Sequence, residues 1–566
     1  MASRRIALAL LAALALAPRP AAPARLQPVR GRLGMVSTQN GIASQVGVEV
    51  LSAGGNAVDA AVAAAFALAV VHPTAGNIGG GGFLVYRPAS GAAVTYDFRE
   101  TAPAAASATM FLTDGRYDAV KHHESHLSVG VPGSVAGLAL AWRSHGLLPW
   151  KKLLEPSIHL AREGFPLSEG LARSLAGAVE KMKKRGLDAS VGQFSRAGVP
   201  YQMGDVFRQP DLARTLERIA SQGPAGFYEG ETAELIEREM KRGGGLVTRE
   251  DLRAYAARRR EPLVGRYRGF EVVTMGPPSS GGVALLEMLN VLEGYDLGSK
   301  GVGSAATVHL MAESMRRAFA DRARFLGDPE ANPDLPVERL ISKAYADGLR
   351  QGIREDKASV SAPDRFEWPA EPTQTTHLSV VDAQRNAVSL TTTLEDEYGS
   401  KIVVPGAGFL LNNEMGDFNA GPDLTDASGL IGTRPNLAAP GRRMLSSMTP
   451  TILARNGTVF LVVGSPGGRT IINTVLQVVT NVVDFGLGVQ DAVDAPRFHH
   501  QWLPDRVQHE RNGLSPDTLA LLRARGHELK EVEVQGVVQA IVYDAARDIL
   551  EGASDRRASD GAAVGR

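Results

Sequence analysis

The 566-residue sequence contains no cysteine, so disulfide bonds, thiol redox chemistry and thiolate metal sites are all excluded. It also lacks an excess of either charge, because 61 lysines and arginines balance 61 aspartates and glutamates. A surface for nucleic acid or an anionic membrane would need a basic excess, so neither partner is expected. A chain of this size without disulfides must depend on a large hydrophobic core for its stability.

Long apolar runs suited to a membrane span are also missing. The run at residues 6–17 is too short to cross a bilayer. Two arginines, Arg4 and Arg5, precede this run, and the small residues Ala22 and Ala24 flank a proline after it. This pattern predicts a signal peptide over residues 1–24 and a secreted or periplasmic protein. A retained N-terminal anchor is the alternative.

A β-hairpin is predicted about two thirds of the way along the chain. Residues 375–381 and 387–394 are rich in β-branched side chains and enclose a short polar loop. The segment before them, residues 358–374, contains several prolines and is typical of an exposed linker. The first strand of the hairpin therefore begins with a threonine, Thr375, directly after a linker.

A threonine in this position has a specific chemical use. If the bond between Gln374 and Thr375 is cut, Thr375 gains an α-amine, which titrates near pH 8. The neutral amine can accept the proton of the threonine's own hydroxyl and so activate it as a nucleophile. The local pattern alone favours an ordinary junction between a linker and a strand, because Thr-Thr at the start of a strand is common.

Helices are predicted on both sides of the hairpin. Residues 41–71 form two helices broken at Gly54 and Gly55, and the second is almost wholly apolar and should be buried. Ser304 is a candidate N-cap for a further helix with one apolar stripe. Residues 125–139 indicate a short strand, a turn and the start of a helix. Other helical segments are predicted at residues 151–163, 171–185, 232–242 and 283–292.

The sequence pattern argues against a phosphate-binding loop and against a histidine metal site. The four glycines at residues 79–82 precede a strand instead of a helix, and no Lys-Ser/Thr follows, so they indicate close backbone packing and not a phosphate loop. The histidine pairs at 122–123 and 499–500 lack metal-ligand spacing, because adjacent residues on a strand point apart. No metal ion and no cofactor is therefore predicted.

Two charged features could bind the ends of an amino acid. Arg99 follows a short strand at residues 94–97 and is a candidate clamp for a carboxylate, with a surface ion pair to Glu100 as the alternative. Glu414 and Asp417 are three residues apart, so a helical turn would direct both carboxylates the same way. Such a pair could hold an ammonium group, or it could be a solvated face.

A candidate oxyanion hole lies near the end of the chain. A buried strand at residues 458–463 leads through Gly467 and Gly468 to an apolar helix at 471–483. Unpaired N–H groups at such a junction face any nearby negative charge, which suits the oxyanion of an acyl-transfer reaction. A phosphate site would need a lysine after the glycines. The long loop at residues 419–443 is typical of a lid.

The order of these motifs resembles that of the γ-glutamyltranspeptidase (γ-glutamyltransferase) family between Gly54 and Gly468. The matching segments are GGNAVDAAVAAAFALAVV with GGGGF, DFRETAPA, GVPGSVAGL, MGPPSSGGV, TTHLSVVD, LLNNEMGDF, LSSMTP and GSPGG. The resemblance implies an α+β fold of the N-terminal-nucleophile hydrolase type, with two stacked β-sheets between helical layers in an αββα arrangement. It also implies self-cleavage before Thr375 into a large subunit, residues 25–374, and a small subunit, residues 375–566, both within one intertwined domain.

The resemblance also assigns roles to individual residues. Thr375 is implied to be the nucleophile and Thr393 its hydrogen-bond partner, while Gly467 and Gly468 supply the oxyanion-hole N–H groups. Arginine and serine side chains would bind the α-carboxylate of the γ-glutamyl group, and acidic side chains its α-ammonium. This donor subsite is implied to comprise Arg99, Glu395, Glu414, Asp417, Ser446 and Ser447.

The activity implied is transfer of the γ-glutamyl group of glutathione through a γ-glutamyl-threonine ester to water or to an amino acid or peptide. A related amidase such as a cephalosporin (glutaryl) acylase is one alternative, and a periplasmic γ-glutamyl-peptide binding protein that never matures is another. Ser428 stands where many family members carry an aromatic residue in the lid. That departure favours hydrolysis over transpeptidation.

Overall fold

A computed structural model describes residues 26–361, 375–422, 424 and 432–566. The predicted signal peptide, residues 362–374 of the predicted linker, and Ser428 therefore lie outside the described residues, whereas Ala358 and Ser361, within the segment predicted to be exposed, are buried. Among the described residues, no helix combines the length and the apolar character needed to cross a bilayer.

Strands occur throughout the described part of the chain. They are β1 Val29–Gly31, β2 Gly34–Thr38, β3 Gly81–Arg87, β4 Val94–Asp97, β5 Leu112–Thr113, β6 Arg116–Tyr117, β7 Phe165–Pro166, β8 Ser195–Arg196, β9 Val199–Pro200, β10 Val206–Phe207, β11 Arg258–Arg260, β12 Leu263–Tyr267, β13 Phe270–Thr274, β14 Thr375–Asp382, β15 Ala387–Thr393, β16 Thr451–Arg455, β17 Thr458–Gly464, β18 Phe498–His499, β19 Val507–Glu510, β20 Leu529–Val532, β21 Gln539–Asp544, β22 Ile549–Ser554 and β23 Ala562–Gly565.

Helices separate many of these strands, and short 3₁₀ helices cover His126–Ser128, Glu414–Asp417 and Arg434–Asn436. The α-helices are α1 Gly41–Ser52, α2 Ala57–Val71, α3 Ala119–His123, α4 Ser134–His145, α5 Trp150–Glu163, α6 Glu169–Lys184, α7 Asp188–Phe194, α8 Pro210–Gln222, α9 Ala225–Tyr228, α10 Gly230–Gly243, α11 Arg249–Ala254, α12 Gly281–Leu292, α13 Leu297–Lys300, α14 Ala305–Phe325, α15 Val337–Leu340, α16 Lys343–Gln351, α17 Thr470–Val483, α18 Val489–Asp494 and α19 Pro516–Ala524.

Fourteen of the described strands form two seven-stranded sheets, and the other nine form one three-stranded sheet and three two-stranded sheets. The first sheet has the order β11-β4-β3-β15-β14-β2-β23 and the second the order β1-β22-β21-β17-β16-β13-β12. The strands β14 and β15 lie inside the first sheet, antiparallel to each other and to their outer neighbours β2 and β3. Strands from before and after Thr375 therefore alternate within one sheet.

Helical layers cover the outer faces of the two sheets. Helices α1 and α2 share a hydrophobic core with Leu378 and Val380 of β14. Val381 belongs instead to the core between the sheets, which continues to α12, α14 and α17 beyond the second sheet. Alternating residues of one strand thus serve the two layers, as the twofold period of a strand requires. The expected four-layer αββα fold is confirmed.

Helix α2 also fixes the far end of the β14–β15 hairpin. Every residue of α2 is buried, and a capping box between Asn56 and Asp59 begins the helix. The Asp382 carboxylate, at the hairpin turn, accepts the N–H of Ala57 at 3.0 Å. The hairpin and the helix that covers it are therefore joined at their ends, which holds the strand that begins at Thr375 in register.

The predicted hairpin, the helix break at Gly54 and Gly55 and the Ser304 N-cap are all present. The short strand expected in residues 125–139 is wrong, because His126–Ser128 form a 3₁₀ helix. Ser125 Oγ accepts the N–H of Leu127 at 3.1 Å, and Ser128 Oγ donates to the carbonyl of Ser125 at 2.6 Å. Such local side-chain bonds offer the backbone an alternative to a strand.

Candidate active site

The candidate nucleophile lies at one end of the hairpin. Thr375 is buried and faces Thr393 across β14 and β15, with 3.5 Å between the two Oγ1 atoms. Thr393 Oγ1 also accepts the N–H of Glu395 at 2.8 Å, and the N–H of Asn413, directly before Glu414, donates to the carbonyl of Leu394, directly after Thr393, at 3.0 Å. Thr375 and Thr393 therefore lie beside the turn that carries the acidic side chain of Glu414.

Behind the nucleophile, the hairpin presents polar side chains to the second sheet. His377 Nδ1 lies 2.8 Å from Thr391 Oγ1, and Ser379 Oγ donates to the carbonyl of Gln539 at 3.1 Å. Burial lowers the pKa of His377 to about 3, so the ring is neutral near pH 7. These contacts fix the nucleophile strand against the second sheet without adding charge there.

The candidate oxyanion loop follows β17 and precedes α17. Gly467 and Gly468 have φ angles of 134° and 55°, conformations that favour glycine. Within the described residues, no hydrogen bond takes up the N–H of either glycine. A Cβ added to Gly464, at the end of β17, would lie 2.3 Å from the His377 ring. This close packing brings the loop to the beginning of β14, where Thr375 lies.

Arg99 forms the centre of a buried charged cluster. Its Nη1 lies 2.5 Å from Glu414 Oε2 and 3.4 Å from Glu100 Oε2, and its Nη2 pairs with Asp417. Arg99 is fully buried, so it is not a surface residue, although Glu100 is one of its partners. The 3₁₀ turn Glu414–Asp417 directs both carboxylates to the same guanidinium, as their spacing predicts.

The cluster contains three acidic side chains and one basic side chain. Burial raises the pKa of Glu414; Arg99 opposes this rise and Asp417 adds to it, and the result is about 7. Burial and the nearby Glu414 also raise the pKa of Glu100 well above its usual range. The Asp417 side chain is 23% exposed, so the cluster opens to solvent on that side. A small cation could enter there and complete the charge balance.

Glu395 lies next to the same 3₁₀ turn. Its Oε1 is 3.1 Å from Nδ1 of His123, and a Cβ added to Gly416 would lie 2.5 Å from that oxygen. Glu395 has a φ of 78°, an uncommon conformation for a residue other than glycine. The third predicted acid is therefore adjacent to Glu414 and Asp417, as a shared ammonium subsite requires.

The two predicted serines lie on the other side of Arg99. Arg99 Nη2 donates to the carbonyl of Leu445 at 3.4 Å, directly before Ser446. Ser446 donates its N–H to the carbonyl of Pro278 at 2.9 Å, and Ser447 Oγ accepts from Arg322 at 3.1 Å. The structure thus brings the acidic turn, Arg99 and the serine pair into one site.

Sequence reasoning missed Glu100 and Arg322 as members of this site. The sequence suggests Glu100 only as a surface partner of Arg99. Arg322 continues the apolar stripe of α14, three residues after Phe319 and seven after Met315. A charged residue on an apolar stripe is the signal that could have identified it, because burying a charge requires nearby polar partners.

A second buried polar cluster was also unexpected. His309, Glu313 and His527 offer ligand-type atoms within 4.8 Å of one another. His309 and Glu313 are one turn apart on α14, whereas His527 follows α19. The Glu313 carboxylate is already engaged by Arg316 and by Arg317. In the part of the chain that the structure describes, this cluster has no hydrogen bond or ion pair to the predicted site residues.

Comparisons of sequence identify relatives over nearly the whole chain. The family model described as gamma-glutamyltranspeptidase matches residues 43–565. A glutathione hydrolase proenzyme of Escherichia coli (strain K12) is 46% identical over 542 residues, covering 95% of this chain and 93% of that protein. A glutathione hydrolase proenzyme of Pseudomonas aeruginosa is 43% identical over 532 residues, with 93% of each chain covered.

Solved structures add two relatives of different kinds. A cephalosporin acylase from Bacillus halodurans superimposes with a TM-score of 0.84 at 29% identity, covering 97% of this chain and 99% of that one. The gamma-glutamyltranspeptidase of Helicobacter pylori gives a TM-score of 0.56 at 44% identity, covering 60% of this chain and 95% of that one. Identity is thus higher to the second structure, although the first matches a larger share of this chain.

Proposed function

This chain belongs to the γ-glutamyltranspeptidase family, and from that premise we propose that it is a self-activating glutathione hydrolase and γ-glutamyltransferase. The observation that carries the proposal is the backbone hydrogen bond from Asn413 to Leu394 at 3.0 Å, which holds Glu414 and its partner Arg99 beside Thr393 and Thr375. It joins a candidate nucleophile to a buried, charged subsite of the kind that an amino acid needs.

Maturation is the first proposed reaction. Thr375 Oγ attacks the carbonyl carbon of Gln374, the peptide C–N bond breaks, and water hydrolyses the resulting ester. The products are a carboxylate on Gln374 and a free α-amine on Thr375. The Helicobacter pylori chain covers 60% of this chain, a share close to that of the proposed large subunit, residues 25–374. The matched length therefore supports a division near Thr375.

The donor would bind through its α-amino acid end. Its ammonium would join the negative turn formed by Glu414 and Asp417, with Glu395 alongside. Its carboxylate would join Arg99 and the serine pair 446–447. Because the cluster places three carboxylates around one guanidinium, a zwitterion adds the missing positive charge where it is needed. Binding the α-amino acid end of the donor in this way places its γ-carbonyl beside the nucleophile, Thr375.

Acyl transfer would follow in two steps. The α-amine of Thr375 accepts the hydroxyl proton as Oγ attacks the γ-carbonyl, and the N–H groups of Gly467 and Gly468 stabilise the oxyanion. The C–N bond to the leaving amine breaks as that amine takes the proton. Water or an acceptor amine then attacks the ester, which releases glutamate or a new γ-glutamyl amide. These steps use side-chain and backbone groups of this chain alone.

A glutaryl amidase is the second candidate, because the cephalosporin acylase from Bacillus halodurans has a closely similar fold. A glutaryl donor lacks the α-ammonium, so it would give no partner to the acidic side chains of Glu414 and Asp417. The identity to glutathione hydrolases is also higher, at 46% against 29%. Both differences favour a γ-glutamyl donor.

The proposed protein is exported and works as a heterodimer of its own two fragments. Removal of residues 1–24 would release it to the periplasm or the medium. After cleavage, the fragments would stay together because their strands alternate in the first sheet, where β14 and β15 lie between β2 and β3. Separating them would break three antiparallel strand pairings in the first sheet, β2–β14, β3–β15 and β2–β23, and two in the second, β1–β22 and β13–β16. Purified protein should therefore elute as one species that separates only under denaturing conditions.

The decisive experiment is N-terminal analysis of purified protein together with a Thr375→Ala variant. We expect two fragments from the wild type, one of them beginning at Thr375, and a single inactive chain from the variant. Turnover of γ-glutamyl-p-nitroanilide should fall by at least ~10⁴-fold. Thr376→Val is the matched control, because Thr376 is buried on the opposite face of the same strand. Two fragments from the Thr375→Ala variant would contradict the proposal.

Donor and acceptor choice need a separate assay. We expect glutathione and γ-glutamyl-p-nitroanilide to be hydrolysed and glutaryl-p-nitroanilide to react far more slowly. Adding glycylglycine should accelerate release of p-nitroaniline only modestly if Ser428 leaves the lid open to water. A faster reaction with the glutaryl donor would support the amidase alternative instead. Tight glutathione binding by a chain that never matures would support the binding-protein alternative.

A further inference from the structure

We propose that Arg322 is a positioning residue for the α-carboxylate of the donor, acting through Ser447 and Ser280. The inference deepens the proposed function and rests on it, since it concerns the same donor site. It also gives a role to residues 276–282, which match the family in sequence but take no part in the proposed acyl transfer.

One guanidinium holds both sides of the serine pair. Arg322, buried on α14, donates from Nη2 to Ser447 Oγ at 3.1 Å and from Nε to Ser280 Oγ at 2.8 Å. The Ser280 hydroxyl in turn donates to the carbonyl of Ser446 at 2.6 Å, and the Ser280 N–H donates to the same carbonyl at 2.8 Å. Arg322 therefore fixes the position of residues 446 and 447 together.

The same contacts determine what Ser447 can bind. Because its Oγ accepts an N–H from Arg322, the hydroxyl hydrogen of Ser447 must be donated to another group. Ser447 is 8% exposed, whereas Ser280 is fully buried and Ser446 is 2% exposed. Ser447 therefore has the most accessible hydroxyl of the three serines. A carboxylate can accept its hydrogen bond, and an ammonium group cannot.

The position of Arg322 also adds positive charge where the donor site lacks it. Arg99 contacts the carbonyl of Leu445 at 3.4 Å, and Arg322 contacts Ser447, so the serine segment touches a guanidinium at each end. Arg99 is shared among three carboxylates, which weakens its attraction for a fourth. A second buried guanidinium compensates, since charges interact more strongly away from water.

The test compares two donors that differ only at the group in question. These are γ-glutamyl-p-nitroanilide and its analogue with the α-carboxylate converted to a carboxamide. We expect Arg322→Gln to lower the preference for the carboxylate donor by on the order of 10- to 100-fold, mainly through KM. Arg322→Lys should give an intermediate preference, because lysine keeps the charge but lacks the fork that reaches both serines.

Two further variants keep the test decisive. Arg324→Gln, which changes an exposed arginine two residues away on α14, should leave the donor preference unchanged. Ser280→Ala removes one partner of Arg322 without changing any charge and should lower the preference by less than Arg322→Gln does. If Arg322→Gln fails to fold, Arg322→Lys and Ser280→Ala provide the comparison. Cleavage at Thr375, seen on a denaturing gel, reports that each variant has folded.

The inference would be overturned if the Arg322 variants lost kcat/KM equally on both donors, so that the donor preference stayed unchanged. Turnover of γ-glutamyl-p-nitroanilide by the wild type tests the proposed function separately. If the wild type turned over neither donor, the proposed function would fail, and calorimetry of glutamate binding to the same variants would still test Arg322. In that case, a Kd for glutamate that is the same in the wild type and in Arg322→Lys and Arg322→Gln would overturn it.

Discussion

Two clusters in this protein contain the same kinds of charged side chain in opposite proportions. The donor-site cluster comprises Arg99, Glu100, Glu414 and Asp417. The Glu313 cluster comprises His309, Glu313, Arg316, Arg317 and His527. In the donor-site cluster one guanidinium is shared among three carboxylates, whereas in the Glu313 cluster one carboxylate pairs with two guanidinium groups.

The pKa values of the two central glutamates show the consequence. Burial would raise the pKa of Glu313, but hydrogen bonds from Ser359 and the charges of Arg316 and Arg317 lower it to about 2. Burial raises the pKa of Glu414, which Arg99 opposes and Asp417 reinforces, to about 7. A buried cluster in which each acidic side chain has enough basic partners stabilises the fold. A cluster with more acidic than basic side chains is suited to binding a cation.

The largest effect is expected from Arg99→Gln. Loss of the guanidinium leaves the buried carboxylate of Glu414 and the partly exposed carboxylate of Asp417 without their counter-ion, and it removes the clamp for the donor carboxylate. We expect kcat/KM for γ-glutamyl-p-nitroanilide to fall by ~10²- to 10³-fold. The measurement is steady-state kinetics on protein already shown to be cleaved at Thr375. Activity within a few fold of the wild type would mean that Arg99 is structural, like Arg316 in the Glu313 cluster.

The next effect concerns stability instead of activity. Glu313→Gln should lower the free energy of unfolding by about 3 kcal/mol, because it breaks a buried pair with Arg316 and Arg317. The folded-state pKa of Glu313 is depressed, so its stabilisation is present above pH 4.5 and is lost as the pH falls toward 2. Thermal unfolding at pH 7 and at pH 3 should therefore show a smaller difference between variant and wild type at pH 3.

A control on kinetics separates the two clusters. The Glu313→Gln variant should keep kcat and KM near their wild-type values, because the ion pairs of Glu313 are to Arg316 and Arg317 and not to the donor-site residues. A fall in kcat/KM as large as that of Arg99→Gln would show that the two clusters are coupled and that the comparison is false.

A moderate effect is expected from pH. Below about pH 7 Glu414 takes up a proton and loses the charge that attracts the donor ammonium, so KM should rise as the pH falls. The limiting slope is ~10-fold per pH unit, since one proton is involved. Glu414→Gln should raise KM at pH 8 and flatten this part of the profile. An unchanged profile in that variant would assign the titration to a group other than Glu414.

Some features of the fold and of the candidate site could be predicted from the sequence and others could not. The difference depends on how far apart along the chain the contacting residues are. The β-branched residues on either side of a short polar loop after Thr375 predicted β14 and its partner, and the spacing of Glu414 and Asp417 predicted carboxylates that point the same way. Both patterns are local. The contact between Arg322 and Ser447 joins residues 125 positions apart, and that between His309 and His527 joins residues 218 apart. No periodicity records such contacts, so only the fold could show them.

The smallest effect is expected when zinc is added to test whether the Glu313 cluster binds a metal ion. His309 donates its Nε2–H to the carbonyl of Arg354 at 2.7 Å, so its Nδ1 carries a lone pair and lies 2.8 Å from His527 Nε2. That distance suits a hydrogen bond, whereas two nitrogens on one tetrahedral zinc ion would be ~3.3 Å apart. The Glu313 oxygens already accept from Ser359 and from two arginines.

Zinc should therefore leave the Tm of the wild type unchanged, and chelators should not lower it. His527→Gln should lower the stability by only about 1 kcal/mol, the value of one hydrogen bond. The matched comparison is the Tm of the wild type and of His527→Gln with and without zinc. A rise of several degrees in the wild type that disappears in the variant would show that a cation displaces the arginines from Glu313. The Glu313 cluster would then be a ligand site like the donor-site cluster, and charge compensation would no longer distinguish the two.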